Sequence, residues 1–331
     1  MAPCITYPNS LVNPNIFTTQ LHISTCILVP VHLFGAYCIL LKTPKKMESV
    51  KWILLNLHCF TALVDLSFSF ISMPYTLFPA AAGYALGIFE APFYQVHLMI
   101  SSLGGIGMAI MTSFENRYFV LFGRNTWWER GRYPFLVVSY LAVPLFFLPA
   151  SLMVPDQATA LEEISKMLPC TLEPFLNGRK VFLVTTDLTT FVGPAAGMTS
   201  WNGVQWFVFI YLIVSKMRKQ ARTFSITSAK TLEMQKKLMI TLGVQFSLVF
   251  TIIAVPICYI TFSMVFGYYN QLFNNMCMCM FSSHGIFSTI VMVIVHKPYR
   301  EFTALLVSRL ICKTKATSVT GSRVSVVPLV L

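Results

Sequence analysis

Apolar residues fall in long unbroken runs along this chain, separated by short polar stretches, and not at the alternating spacing of a half-buried strand. Seven runs reach the ~20 residues a helix needs to cross the hydrocarbon core of a bilayer. They lie at about 21–41, 52–73, 92–113, 133–154, 186–214, 238–262 and 276–295. Each reads as a helix, so the pattern predicts an all-α, seven-transmembrane-helix bundle. The runs are too long for the strands of a membrane barrel. Apolar character continues past the second run as PYTLFPAAAGYALGIF, Pro74 to Phe89. Pro74, Pro79 and Gly83 make that stretch a poor helix, and it reads as an outer turn between helix ends. An eight-span count would use it as a span. Pro30, Pro144, Pro149, Pro194 and Pro256 lie inside the runs, where each interrupts a helical hydrogen-bond ladder.

Charge sharpens the picture. Charged residues make up 11% of the chain and hydrophobic ones 56%, against roughly 25% charged in an ordinary soluble domain. A net charge of +12 suits a nucleic-acid binder, but here the charges avoid the runs and collect between them. Of the 24 Lys and Arg, 21 fall in segments 42–51, 115–132, 215–237 and 296–331. Segment 155–185 holds three, and 1–20, 74–91 and 267–275 hold none. The basic side is cytoplasmic, which sets the amino terminus outside and the carboxyl terminus inside. Eight spans ending inside would start with the charge-free tail inside, so the asymmetry favours seven. The apolar spans exclude a soluble nucleic-acid binder, and no nucleic-acid partner is expected.

The chain divides into an extracellular amino tail (1–20), the bundle (21–295), a membrane-proximal amphipathic segment (296–313) and a disordered cytoplasmic tail (314–331). The tail has no basic leader, so the first run reads as a span and not as a cleaved signal. It has no N-x-[ST] sequon, so no glycan is expected on it. The nine cysteines show no metal spacing: Cys277 and Cys279 form one C-x-C with no second pair. Six scattered histidines and the absence of a nucleotide-binding motif argue against an enzyme, and neither metal nor cofactor is expected.

Three features carry candidate chemistry. MTSFENRYFVLF (111–122) sets Glu115, Asn116, Arg117 and Tyr118 at the cytoplasmic end of the third span. Arg117 is either a boundary residue reaching headgroups or part of a bundle-facing cluster with Glu115, whose carboxylate would be costly alone at that depth. Asp65 lies inside the second span with Thr61 and Ser69 on the same face; a carboxylate there needs a partner, a proton or an ion. It is either a packing residue or part of a polar core linking two bundle states. The loop between spans five and six carries seven basic residues, Lys230, Lys236 and Lys237 among them, with Glu233 as its acid. Beyond span seven, Phe302, Leu305, Leu306 and Leu310 share one side of a short helix suited to the inner leaflet. Cys312 ends it, as a palmitoylation candidate or as a free thiol.

The stretches HLFGAYCILLKTPKKMESVKWILLNLH (32–58), SFENRYFVLF (113–122), KTLEMQKKLMITLGVQ (230–245) and HKPYREF (296–302) resemble the nematode serpentine chemoreceptors of class H, a family of seven-transmembrane G-protein-coupled receptors. They run in order along nearly the whole chain. The resemblance implies a receptor at the plasma membrane, in chemosensory neurons and their cilia, that binds an unidentified small molecule and activates a heterotrimeric G protein. It implies that Glu115, Asn116, Arg117 and Tyr118 form the activation switch, with Lys230, Lys236 and Lys237 as cytoplasmic contacts. Arg117 matches the arginine that closes span three in the wider receptor class, but Asn116 stands where an acid usually precedes it. HKPYR replaces the usual N-P-x-x-Y. Asp65 matches a position that binds sodium in other receptors. The wider class links span three to the second outer loop by a disulfide; no cysteine lies between Tyr75 and Ser113, and a Cys4–Cys170 bridge is expected instead. Membrane lipid is a further partner. The competing reading is a multi-pass transporter or ligand-gated channel, against which the odd span count and the missing half-to-half repeat stand.

Overall fold

The computed structural model describes residues 10–89, 91–168, 179–223 and 226–321, without the side chains of 46, 188, 191, 245, 248, 249 and 310–321 and most of those of 221–242. Helix α1 (Pro14–Lys42) starts before the expected edge at 21. Asn13 caps it by accepting from the Asn15 N–H, and Pro14 fills the first position, where no N–H is needed. Thr18 and Thr19 turn their hydroxyls back to the Pro14 and Asn15 carbonyls, so polar residues of the supposed tail sit within the helix. Helix α2 (Glu48–Leu66) ends in a π-helical turn at Ser67–Ile71. Helix α3 (Pro92–Tyr118) ends in another at Phe119–Gly123. Then come α4 (Trp128–Leu152), short α5 (Ala160–Met167), α6 (Leu188–Thr223), α7 (Ile226–Phe266) and α8 (Gln271–Val295). Pro30, Pro144, Pro149, Pro194 and Pro256 lie inside α1, α4, α6 and α7.

The final helix α9 spans Lys297–Gly321. Pro298 sits in its first turn, where a proline starts a helix instead of breaking one. The helix takes in 314–321 of the tail expected at 314–331, and 322–331 lie outside the described residues.

Among the described residues, five helices are long and apolar enough to cross a membrane: Pro14–Lys42, Glu48–Ile71, Pro92–Gly123, Trp128–Leu152 and Gln271–Val295, the second and third including their π-turns. The fold is an all-α bundle. Helix α8 packs against α1, α2 and α7, and α3 packs against α2, α4 and α6. Polarity is distributed as in a protein solvated by lipid. Large apolar side chains such as Leu33, Tyr133, Leu141, Phe207 and Tyr211 face outward, while Asp65, Glu115, Asn274, Asn275, Ser282 and His284 are fully buried. In water such an exterior would aggregate; in a bilayer the buried polar groups bind helix to helix.

The stretch read as an outer turn is a hairpin. Strands β1 (Pro74–Thr76) and β2 (Ala81–Ala85) pair antiparallel with Tyr75 opposite Tyr84, and β3 (Phe182–Thr185) adds to β2. Gly83 permits the close pairing, since a Cβ there would lie 2.5 Å from the Tyr75 carbonyl oxygen. The sheet is fastened to the bundle by side-chain amides at the start of α8. Gln271 donates to the Thr76 carbonyl (2.9 Å), Asn274 to that of Phe78 (3.0 Å) and Asn275 to that of Leu11 (2.7 Å). The Tyr75 hydroxyl donates to the Val12 carbonyl at 2.6 Å.

Candidate functional site

Beneath the sheet lies a cavity of about 520 Å³, within the range of small-molecule sites. Phe68, Phe147 and Phe281 and the thioethers of Met99, Met198, Met264 and Met278 form much of its wall, with residues of all three strands over it. Among the described residues, no Asp, Glu, Lys, Arg or His lines it. Gln95, in the first turn of α3, is a buried lining residue whose Nε2 has no hydrogen-bond partner among the described residues. His97, two residues on, points elsewhere: its Nδ1 lies 3.1 Å from the Ser151 hydroxyl on α4.

Below the cavity, three helices converge on Asp65. Its Oδ1 lies 2.7 Å from His284 Nδ1 and accepts the Gly285 backbone N–H at 3.1 Å. Its Oδ2 lies 3.0 Å from His32 Nε2. His58, two turns earlier on α2, meets the His32 carbonyl at 2.9 Å through Nε2. Glycine at 285 makes this possible, because a Cβ there would stand 2.5 Å from Asp65 Oδ2 and 2.8 Å from His32 Cε1. The carboxylate thus joins α1, α2 and α8. The contacts that hold it are to two imidazole nitrogens and one backbone N–H. Thr61 and Ser69 are buried as Asp65 is, but Thr61 bonds to the His58 carbonyl and neither hydroxyl reaches the carboxylate.

At the end of the bundle away from the sheet, Glu115 and Asn116 both accept from Arg132, at 2.9 and 3.5 Å, while Arg117 and Tyr118 face other neighbours. Successive helical residues are turned by about 100°, so Glu115 and Arg117 point to nearly opposite sides of α3. Glu115 accepts from Trp128 Nε1 (2.8 Å) and Arg132 (2.9 Å), both on α4. The Arg132 guanidinium also lies 3.9 Å from the centre of the Phe119 ring. Asn116 donates to the Ser49 carbonyl at 3.4 Å. The Tyr118 hydroxyl accepts from Lys216 of α6 at 3.0 Å. Arg117 is 8% exposed and makes no ion pair among the described residues. Its charge acts on His296 at the joint of α8 and α9, where burial first and Arg117 second push the imidazole down to about 4. Tyr299 is buried beside His296 and hydrogen bonds to Thr43 at 2.7 Å. Residues of HKPYR therefore pack against the bundle.

Sequence reasoning thus found Asp65 and Glu115 but not their partners. His32, His284, Arg132 and Trp128 come from other helices; the sequence signal was that a buried carboxylate requires a donor. Gln95 gave no signal beyond being polar in an apolar run. Lys230, Lys236 and Lys237 lie on α7 and Cys312 on α9, with side chains outside the described ones. Cys4 and Cys170 lie outside the described residues altogether. Among the described residues, no group of three or more His, Cys, Asp and Glu side chains is placed to hold a metal ion.

A bundle with an apolar outer surface, a cavity near one end and a linked polar interior is a multi-pass membrane protein. The family model described as serpentine type 7TM GPCR chemoreceptor Srh matches residues 12–309, and the chain belongs to that family. It is similar to serpentine receptor class H-72 of Caenorhabditis elegans, with 25% identity over 295 residues that cover 83% of this chain and 81% of the relative. The chain is accordingly classed as a membrane chemoreceptor and not as an enzyme.

Proposed function

We propose that this receptor spans the plasma membrane of a chemosensory neuron seven times with its amino terminus outside, and in such a cell reaches the sensory cilium. It binds a small molecule in the cavity beneath the sheet and activates a heterotrimeric G protein at the opposite face. The basic segments 42–51, 115–132, 215–237 and 296–331 support this orientation, since it puts the cavity on the outer side.

The observation that carries the coupling role is Arg117, a buried cation without an ion-pair partner among the described residues, at the end remote from the cavity. A largely buried guanidinium without a counter-charge favours any state that supplies one, and an inner face that opens on agonist binding gives it a partner. Agonist shifts the bundle toward that state only if it binds that state better. Asp65, tied to α1 and α8, lies between the two ends and couples those helices. The basic residues Lys230, Lys236 and Lys237 supply further G-protein contacts and attract anionic lipid.

The test is Arg117→Gln in cells with a G-protein readout. Surface labelling and ligand binding are expected to stay near wild type, because one cation among 21 does not set topology. Agonist-driven activation is expected to fall at least tenfold. Undiminished activation at matched surface expression removes Arg117 from the coupling role. Uptake or current without any G protein would replace the receptor reading by a transporter or a channel.

A further inference from the structure

We infer that the cavity takes an uncharged, largely hydrocarbon ligand bearing one carbonyl acceptor, as in a ketone or an ester, and that the Gln95 side-chain amide donates to that oxygen. The inference rests on reading the cavity as the ligand site and adds the ligand's chemical class.

The first argument is what the wall lacks. With no Asp, Glu, Lys, Arg or His among the described lining residues, an ammonium or carboxylate ligand would lose hydration and gain no counter-charge from the wall, a cost of several kcal/mol for an unpaired ion. Amines and acids are therefore excluded as charged species.

The second is what the wall offers. Gln95 is 4% exposed, and its Nε2 has no partner among the described residues. A side-chain amide nitrogen only donates. A buried donor left unmet is costly, and an acceptor presented by the ligand removes that cost. Ser72, Thr76 and Tyr84 line the same space with hydroxyls that also lack protein partners. A hydroxyl can donate or accept, so these three tolerate the ligand's polar end without dictating it. The obligate donor at Gln95 does dictate it.

The third is the shape of the remainder. Four methionines and five phenylalanines line much of the rest. Unbranched thioethers adapt to irregular apolar shapes, so chain length and branching should be tolerated while the acceptor is required. The wall selects a class of related molecules by one polar feature.

The test uses purified full-length receptor in lipid nanodiscs and reads its unfolding midpoint against concentration for a matched set of straight-chain probes. The set is a methyl ketone, a methyl ester, the hydrocarbon, the secondary alcohol, the primary amine and the carboxylic acid, all of one chain length. The ketone and ester are expected to stabilise the protein, and the amine and acid are not. Gln95→Leu should weaken the ketone and ester about tenfold, the worth of one hydrogen bond, and leave the hydrocarbon unchanged. Gln95→Met, closer in shape, serves if the leucine variant does not fold. The inference is overturned if no ketone or ester binds, if both variants bind the ketone as wild type does, or if the amine or acid binds as well. It is also overturned if the alcohol binds and the ketone does not, since the amide would then present its oxygen. G-protein activation in membranes is measured separately. Gln95-dependent binding without activation sinks the coupling reading and leaves this inference standing. Activation by a molecule indifferent to Gln95 does the reverse.

Discussion

The buried imidazole of His296 shows how one residue reports on its neighbours. It is 4% exposed, its ring centre lies 5.5 Å from that of Tyr299, and Arg117 adds a repelling charge. Both effects disfavour the imidazolium, so the folded value falls to about 4 while the unfolded chain keeps the ordinary value of about 6.5. The unfolded state therefore binds more protons between these two values, and stability rises with pH across that window. This contribution is complete above the ordinary value and is lost as pH falls through the folded one. Carboxylates titrate nearby, so the informative quantity is the difference between wild type and His296→Gln. Melting midpoints measured from pH 4 to neutrality should converge at low pH relative to their separation at neutral pH. Arg117→Gln should raise the folded value and narrow the window. Parallel curves for wild type and His296→Gln would show that the imidazole does not titrate in this way.

Among the elements, the contact between α2 and α8 depends on a missing methyl group. Gly285 lets the α8 backbone donate directly to Asp65, and an added Cβ would meet both that carboxylate and the His32 ring. Neither neighbour can yield freely, because each is held by the other. Gly285→Ala should therefore cost about 1–3 kcal/mol by overpacking, read as a lower melting midpoint and weaker surface expression. Gly203, within α6, has nothing within 4 Å of an added Cβ. Gly203→Ala should be neutral or gain up to about 1 kcal/mol from helix propensity. Equal effects of the two substitutions would deny the α2–α8 contact its special tightness. The sequence made much of this level legible. Runs of apolar residues located the long helices, because length and hydropathy are local properties. The hairpin at 74–85 stayed hidden because its strands are three and five residues long and are held by pairing and by amides from α8. Asp65 announced a need for a donor, but which helix supplies it depends on packing. Arg132 looked like one more basic boundary residue until its contact with Glu115 was seen. The π-turns after α2 and α3 likewise have no proline or glycine pair to announce them.

Across the whole molecule, charge and cavity point in opposite directions along the bundle. Residues of the sheet, the start of α8 and Leu11–Val12 gather at one end. The segments that join α1 to α2 and α3 to α4 lie at the other, with Lys42, Lys51, Arg124 and Arg130. Lys166, on α5 between α4 and β3, belongs by connectivity to the sheet end, where it pairs with Glu162 and Glu163. Lys297 begins α9 at the far end and is exposed beside Glu301. The orientation proposed from the basic segments thus makes a definite statement about two lysines. Replacing each by cysteine, in a background where Cys26, Cys59 and Cys258, exposed on the helices, and also Cys4, Cys170 and Cys312 are changed to serine, gives two reporters. A membrane-impermeant maleimide should label Lys166→Cys on intact cells, and Lys297→Cys only after permeabilisation. Both lysines are exposed and neither belongs to the cavity or to the Asp65 and Arg117 clusters, so the substitutions should leave expression unchanged. Labelling of Lys297→Cys on intact cells would invert the bundle and put the cavity inside. Labelling of both would break the single-orientation model. Labelling of Lys166→Cys alone leaves the covered cavity facing the outer medium, where a chemoreceptor must meet its ligand.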